Sequence, residues 1–293
     1  RNLENIINCG DINPLAIESL FKYRFIYDPL SIYKNVHKLQ PGHIINFTSK
    51  NIVLRKWYNL NRITEDNSNK AIIHKKLRNY FDKAVKRRLI SDVDLGVFLS
   101  GGLDSSLIVS SLAEQGFSLP CFTMGFQGAS DYYEERPQAK RLAKYFGMEH
   151  HSFEINEKSI LKKIPEILNA SDEPFADTST LPFYMLSKEV SSRVKVVLSG
   201  DGGDEVFGGY RKHLGEKWSS ASNMIPKFIR TIIVKTLIEN KNTYYGEISR
   251  RIRRFLINTY KDGSLRQAGY LEQINADSIK KLFGVNIEHT KRL

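Results

Sequence analysis

Leu95-Gly96-Val97-Phe98-Leu99-Ser100-Gly101-Gly102-Leu103-Asp104-Ser105-Ser106 runs from a short apolar segment through a double glycine into a helical pattern. Leu95 to Leu99 reads as a buried strand, being short, apolar and bounded by a turn. Asp104 to Gln115 then carries apolar residues at helical spacing and stops at Gly116, a residue suited to a helix C-cap. Strand, turn and helix in that order form the repeating unit of a parallel sheet with crossover helices. The unit recurs from Asp92 to Tyr210: Cys121 to Met124, Ser152 to Ile155 and Val194 to Leu198 read as further strands, and Glu135 to Phe146 and Leu181 to Val190 as helices between them. The expectation is an α/β fold.

The turn carries chemistry as well as topology. At the C-terminal end of a strand, Gly101 and Gly102 let the backbone approach an anion, and the helix start offers unpaired N–H groups and the positive end of its dipole. Ser100, Ser105 and Ser106 add hydroxyl donors. Asp104 is an unexpected neighbour for a polyanion unless a divalent cation lies between the two, so it points to Mg²⁺. No Gly-Lys-Ser/Thr ending follows, which excludes a Walker-type grip on a γ-phosphate. Read alone, the same residues also fit a glycine turn with a Ser or Asp helix cap.

A second turn of this kind lowers the weight of that plainer reading. Leu198-Ser199-Gly200-Asp201-Gly202-Gly203-Asp204-Glu205-Val206-Phe207-Gly208-Gly209-Tyr210 again follows an apolar strand. In a parallel sheet both loops leave the same edge, so Asp104 and Asp204 are expected to face one crevice and share a metal bound to pyrophosphate. Asp201, Asp204 and Glu205 crowd together, and like charges this close repel unless a cation or hydrogen-bond donors offset them.

Outside this region the character changes. Between residues 1 and 60, Lys38-Leu39-Gln40-Pro41-Gly42-His43 punctuates strand-like runs Ile44 to Phe47 and Ile52 to Trp57, a hairpin at the edge of an all-β or α+β unit. Asn61 to Lys70 is polar and reads as a linker. After Tyr210 the pattern is helical, with Ile229, Ile232, Ile233 and Leu237 at apolar positions, and no internal repeat is visible. The 293 residues carry a net charge of +12. From Arg211 to Leu293 there are 17 Lys and Arg against 7 Asp and Glu, which places +10 in this tail. Arg250, Arg251, Arg253 and Arg254 fit either a solvated helical face or contacts to nucleic-acid phosphates, and the first is preferred.

No apolar stretch reaches the roughly 20 residues of a membrane span. The segment Arg1 to Asn8 lacks the pattern of a secretory signal, and the start without Met suggests a chain cut from something longer. Cys9 and Cys121 are the only cysteines, too few for a disulfide framework or a zinc site, so a reducing cytoplasm is expected.

Taken together, the two glycine-rich loops, Phe122-Thr123-Met124-Gly125-Phe126, Tyr133-Glu134-Glu135, His150-His151 and Asp172-Glu173-Pro174-Phe175-Ala176-Asp177-Thr178-Ser179 with Pro182 resemble the glutamine-dependent asparagine synthetases. Leu39-Gln40-Pro41-Gly42-His43 and Trp57-Tyr58 are similar to the closing hairpin of that family's glutaminase domain. The resemblance implies a doubly wound parallel sheet of the ATP-pyrophosphatase, adenine nucleotide α-hydrolase-like type, over residues 70–293 and incomplete at its C-terminus. It also implies that residues 1–62 are the C-terminal part of an N-terminal-nucleophile α+β glutaminase domain.

By this resemblance Leu99, Met124, Ser199 and Gly200 line an adenosine pocket, Ser100, Gly101, Gly102, Leu103, Asp104, Ser105 and Ser106 hold pyrophosphate, and Asp104 and Asp204 bind Mg²⁺. Asp201 takes the position where many members have Glu, associated with forming the acyl adenylate and activating ammonia. The implied reaction is ATP-dependent amidation of a carboxylate, aspartate to asparagine first, with AMP and pyrophosphate released and ammonia drawn from glutamine. A sugar uronic acid as acceptor is the alternative raised by the shorter Asp201, and a degenerate nucleotide- or nucleic-acid-binding protein the alternative raised by the basic tail. A tRNA-modifying pyrophosphatase is disfavoured by the cysteine pattern. Glutamine hydrolysis in the family needs an N-terminal cysteine and its phosphate contacts include a later lysine segment, neither of which this chain is expected to supply. The expected partners are therefore small molecules, with no membrane and no nucleic acid, and a homodimer stays open. His150 and His151 fit a polar role near the nucleotide or plain strand packing.

Overall fold

The computed structural model describes residues 10–49, 51–60, 63–128, 134–222, 225–236, 244–259, 263–274 and 276–283. Cys9, Asn61, Tyr132 and Tyr133 lie outside these. Contacts divide the chain into a sheet unit, Gly42–Asp172 with Asp177–Asp204, and a helical unit, Arg1–Pro41 with Glu173–Ala176 and Glu205–Leu293.

The sheet unit begins with strands β1 (His43–Phe47) and β2 (Ile52–Lys56), antiparallel with His43 opposite Lys56 and Phe47 opposite Ile52. This is the hairpin the sequence suggests, but Pro41-Gly42 is not its tight turn. That turn lies at Thr48–Asn51, where the Asn51 N–H donates to Thr48 Oγ1 at 2.9 Å. Gly42, at φ +71°, stands just before β1 and accepts from the Trp57 N–H at 2.9 Å, closing the open end. A Cβ here would fall 2.7 Å from the Tyr58 carbonyl oxygen, so glycine is required by space as well as by φ.

Helix α2 (Lys70–Arg87) follows, capped by the Asn69 side chain, which accepts from the Ala71 N–H. Then come β3 (Leu95–Phe98), α3 (Leu103–Glu114), β4 (Cys121–Phe126), α4 (Arg136–Tyr145), β5 (His150–Ile155), α5 (Glu157–Ala170), α6 (Thr180–Val190) and β6 (Val196–Leu198). Four strands form one sheet in the order β5-β4-β3-β6, each pair parallel. The α/β class read from the sequence is thus the observed one.

Strand side chains alternate between the two faces, and each face has its own core. Val97, Leu99 and Cys121 pack with Val85 of α2, Val109 and Leu112 of α3, and Ala139 and Ala143 of α4. Phe98 and Phe122 point the other way, against Leu186 and Val190 of α6 and the nearby Val194. With both faces covered, the central strands can be continuously apolar, which is why they stand out in the sequence. Val194 was expected inside the last strand; instead its N–H closes the end of α6 on the Val190 carbonyl, and β6 starts two residues later.

The helical unit holds α1 (Pro14–Tyr23) and, after the short α7 (Gly203–Phe207) that straddles the division, α8 (Arg211–Ser222), α9 (Lys227–Thr236), α10 (Tyr244–Asn258), α11 (Gly263–Leu271) and α12 (Ala276–Phe283). Phe21 of α1 meets Phe283 of α12 edge to face at 5.1 Å. Arg266 of α11 reaches Glu216 and Ser219 of α8. Arg251, Arg253 and Arg254 are exposed on α10.

Candidate functional site

The chain proceeds outward from β3 to β4 to β5, then returns to the far side of β3 for β6. This reversal makes the gap between β3 and β6 a topological switch point, where open α/β sheets bind ligands beyond the C-terminal strand ends. Val97 is in register with Leu198, so the loops that follow, Ser100 onward and Ser199 onward, leave the sheet side by side. They are the two loops singled out by sequence.

The first loop is held by its own hydroxyls. Ser100 Oγ accepts from the Gly102 N–H at 3.2 Å and lies 3.0 Å from Ser105 Oγ. Ser105 and Ser106 both donate back to the Gly102 carbonyl. Gly101 sits at φ +80°, and a Cβ there would come 2.8 Å from Gln138 Cγ of α4. Gly102 is the N-cap of α3 and supplies no capping side chain, so the first turn of the helix starts without a side-chain cap on its N–H groups. Leu103 is exposed, whereas Ser105 is buried.

The second loop rests on the first. A Cβ at Gly200 would fall 2.8 Å from the Ser105 nitrogen and 3.0 Å from Asp104 Cβ. At Gly203 it would fall 2.6 Å from Asp104 Cγ and 2.7 Å from its Oδ1. Two glycines on one loop therefore make the seat for one carboxylate on the other. Asp204 follows Gly203 directly, and Gly202, at φ +90°, permits the bend before it. Asp201 is exposed and accepts from Ser199 Oγ at 2.8 Å.

Leu99 and Met124 occupy positions of a different kind. Leu99 is 1% exposed and belongs to the first core, and Met124 is packed against the second. The Leu99 carbonyl, at the root of the first loop, accepts from Thr123 Oγ1, and Thr123 in turn pairs with His150 Nε2 at 3.0 Å. Because the Thr123 proton is given to Leu99, the imidazole must be the donor at Nε2. Burial, with His151 and Lys140 nearby, pushes the His150 pKa down. His151 stacks on Phe122 at 5.3 Å and pairs with Glu149. Both histidines thus contact β4 from the first two positions of β5.

Sequence reasoning overlooked Thr123, and it overlooked Arg136, whose guanidinium lies across Gly125 between Glu134 (Nε to Oε1, 2.8 Å) and Glu154 (2.7 Å). The visible signal for the second was an isolated glycine inside a strand, which marks close approach by another group. Arg136 holds Glu134 below the usual carboxylate range, while burial and then Glu134 raise Glu135. Of Asp172-Glu173-Pro174, Glu173 pairs with Lys38 at 3.0 Å within the helical unit. Cys121 is fully buried, and its thiol is pushed up to about 12 by desolvation, which keeps it unreactive.

Among the described residues no group of three or more His, Cys, Asp or Glu side chains could enclose a metal. Mg²⁺ does not need one, since it is commonly held by one or two carboxylates together with substrate phosphates and water. The donor set of Asp104 and Asp204 beside an open helix start fits that mode of binding.

Residues 76–291 match the family described as asparagine synthase. The chain belongs to the asparagine synthase family. Its curated relatives include "Putative asparagine synthetase (glutamine-hydrolyzing) 2" of Methanocaldococcus jannaschii, 36% identical over 279 residues, covering 92% of this chain and 52% of that protein. Asparagine synthetase (glutamine-hydrolyzing) 1 of Bacillus subtilis is 32% identical over 200 residues, covering 68% and 31%. The nodule asparagine synthetase of Pisum sativum is 37% identical over 189 residues, covering 58% and 30%. The chain therefore spans about a third to a half of the length of these family members. Among solved structures, an NH3-dependent NAD synthetase from Campylobacter jejuni covers 68% of this chain and 97% of its own at 15% identity, with a TM-score of 0.33.

Proposed function

We propose that the full protein amidates a carboxylate, with aspartate as the first candidate, through an acyl adenylate formed from ATP, and that this chain carries the nucleotide half of the site. A carboxylate is a poor electrophile because its oxygen must leave as something better than hydroxide, and transfer to the α-phosphorus of ATP provides AMP as that leaving group. The observation that carries the reading is the seating of Asp104 on Gly200 and Gly203, which joins two glycine-rich, acid-bearing loops at the switch point of a parallel sheet.

In this reading the sheet unit is of the ATP-pyrophosphatase type. The first-turn N–H groups of α3, with Ser100 to Ser106, bind and orient the pyrophosphate portion of ATP. Leu99 supports the loop from beneath, and Met124, Gly200 and the backbone of Ser199 border the adenosine. Asp104 and Asp204 hold Mg²⁺, which when bound neutralises charge on the phosphates. Asp201 takes up the proton released as ammonia attacks the activated carboxylate. Positioning two substrates on one rigid edge supplies much of the remaining acceleration.

Residues 1–62 are read as the end of a glutaminase domain, with glutamine as nitrogen donor in the intact protein. In support, the match to the M. jannaschii relative reaches well upstream of residue 76, because 92% of the chain exceeds what residues 76–293 can hold. No described helix is long and apolar enough to cross a membrane, and the cytoplasm is the expected compartment for small-molecule substrates of this kind.

The test is pyrophosphate release by the full-length protein with Mg-ATP and ammonia, comparing aspartate with a panel of uronic acids and identifying the product. Asparagine is the expected product. A sugar amide would move the acceptor while keeping the chemistry, and no pyrophosphate release with any acceptor would overturn the reading.

A further inference from the structure

We infer that Ser199 is the positioning residue for Asp201: its hydroxyl fixes one carboxylate oxygen so that the other faces the attacking nitrogen. The inference rests on the amidation reading and goes beyond it, since there Ser199 does no more than border the nucleotide. Asp201 lies between Gly200 and Gly202 on an exposed turn, where an unrestrained carboxylate would sample several rotamers. Ser199 Oγ donates to Asp201 Oδ2 at 2.8 Å. Among the described residues it is the only side chain that hydrogen-bonds this carboxylate, and no ion pair holds it. The backbone beneath is fixed: Gly200 is pressed onto Ser105 and Asp104, and the Gly203 N–H donates to the Gly200 carbonyl at 3.2 Å.

A hydroxyl on a braced backbone therefore aims a short side chain. Oδ2 is engaged, and Oδ1 is left as the proton acceptor. In the step it serves, ammonia nitrogen forms a bond to the acyl carbon, the bond from that carbon to the phosphate oxygen breaks, and AMP leaves with the electron pair. The proton lost from nitrogen goes to Asp201 Oδ1. A lone Asp, its carboxylate one methylene from the backbone, has less reach than Glu and gains more from being aimed.

The experiment is a double-mutant cycle on the full-length protein, reading amide formation with Mg-ATP, ammonia and the acceptor that wild type uses. Ser199→Ala should lower kcat by about tenfold to a hundredfold, the scale of a catalytic group misplaced by about an ångström, with the KM for ATP little changed. Ser199→Thr keeps the hydroxyl and should recover most of kcat. Ser199→Ala combined with Asp201→Ala should be no slower than Asp201→Ala alone, because the serine acts only through the aspartate. Additive losses, or a raised KM for ATP at unchanged kcat, would overturn the inference and assign the hydroxyl to the nucleotide. A wild type that releases no pyrophosphate would overturn the amidation reading, and this inference with it.

Discussion

The carboxylate of Asp104 lies on the backbone of Gly203, so close that a methyl group at 203 would stand 2.6 Å from its Cγ. Gly203 opens α7 and its φ is not positive, so alanine is acceptable there to the backbone and would even favour helix. The three atoms nearest such a methyl all belong to Asp104, so the steric effect of Gly203→Ala falls first on that carboxylate. Pyrophosphate release should drop at least about tenfold, as for a misplaced group, while the thermal midpoint stays near wild type. Unchanged turnover would show that the carboxylate need not sit where the glycine places it.

Asp104→Asn and Asp204→Asn test the charge rather than the seat. Each is nearly isosteric, and both sites are only partly buried, so the fold should persist. If the two carboxylates share Mg²⁺ with the phosphates, each substitution should abolish pyrophosphate release, and excess EDTA should do the same to wild type. Wild-type turnover in both variants would remove the metal assignment.

These residues were legible in the sequence for a physical reason. Buried parallel strands such as Leu95–Phe98 are continuously apolar, and glycines at strand ends followed by acids have few structural uses, so fold class and both loops stand out. Helix α2 did not, because most of its 18 residues face solvent and only Val85 is fully buried, leaving no apolar stripe to read. Helix α1 escaped notice for another reason: its buried positions include Glu18, Ser19 and Lys22, which blur the amphipathic pattern. The contacts between Thr123 and His150, 27 residues apart, and between Gly125 and Arg136 depend on strand register and on how α4 lies on the sheet. Residue spacing along the chain does not encode either.

His150 makes the stability of the sheet unit depend on pH. Its folded imidazole titrates below the ordinary range because burial opposes its charge, with His151 and Lys140 adding repulsion. An unfolded histidine protonates near about pH 6.5. Between that value and the lower folded one the unfolded chain binds more protons, so stability rises with pH and is lost on acidification below neutrality, levelling off once both states are protonated. His150→Gln keeps a donor for Thr123 and removes the titration. Urea unfolding at a series of pH values should show a shallower slope for the variant between about pH 7.5 and 5.5. Identical slopes would place the pH dependence elsewhere.

Arg136 and Gly125 give a prediction about packing across the strand. A Cβ at 125 would come 2.2 Å from Arg136 Nε, 2.7 Å from Cδ and 2.8 Å from Cζ. A free arginine would swing aside at little cost, but this one is tied to Glu134 on one side and Glu154 on the other. Gly125→Ala must therefore either break these charge-assisted bonds or shift β4. Since the three side chains are partly exposed, solvent screens the pairs and the expected loss is only about 1 kcal/mol. In an Arg136→Ala background the same glycine substitution should cost nothing, and the extra methyl should slightly favour the strand. Denaturant melts of the two single variants and the double variant measure this coupling directly. Equal costs of Gly125→Ala in both backgrounds would show that the glycine is required by something other than the arginine lying over it.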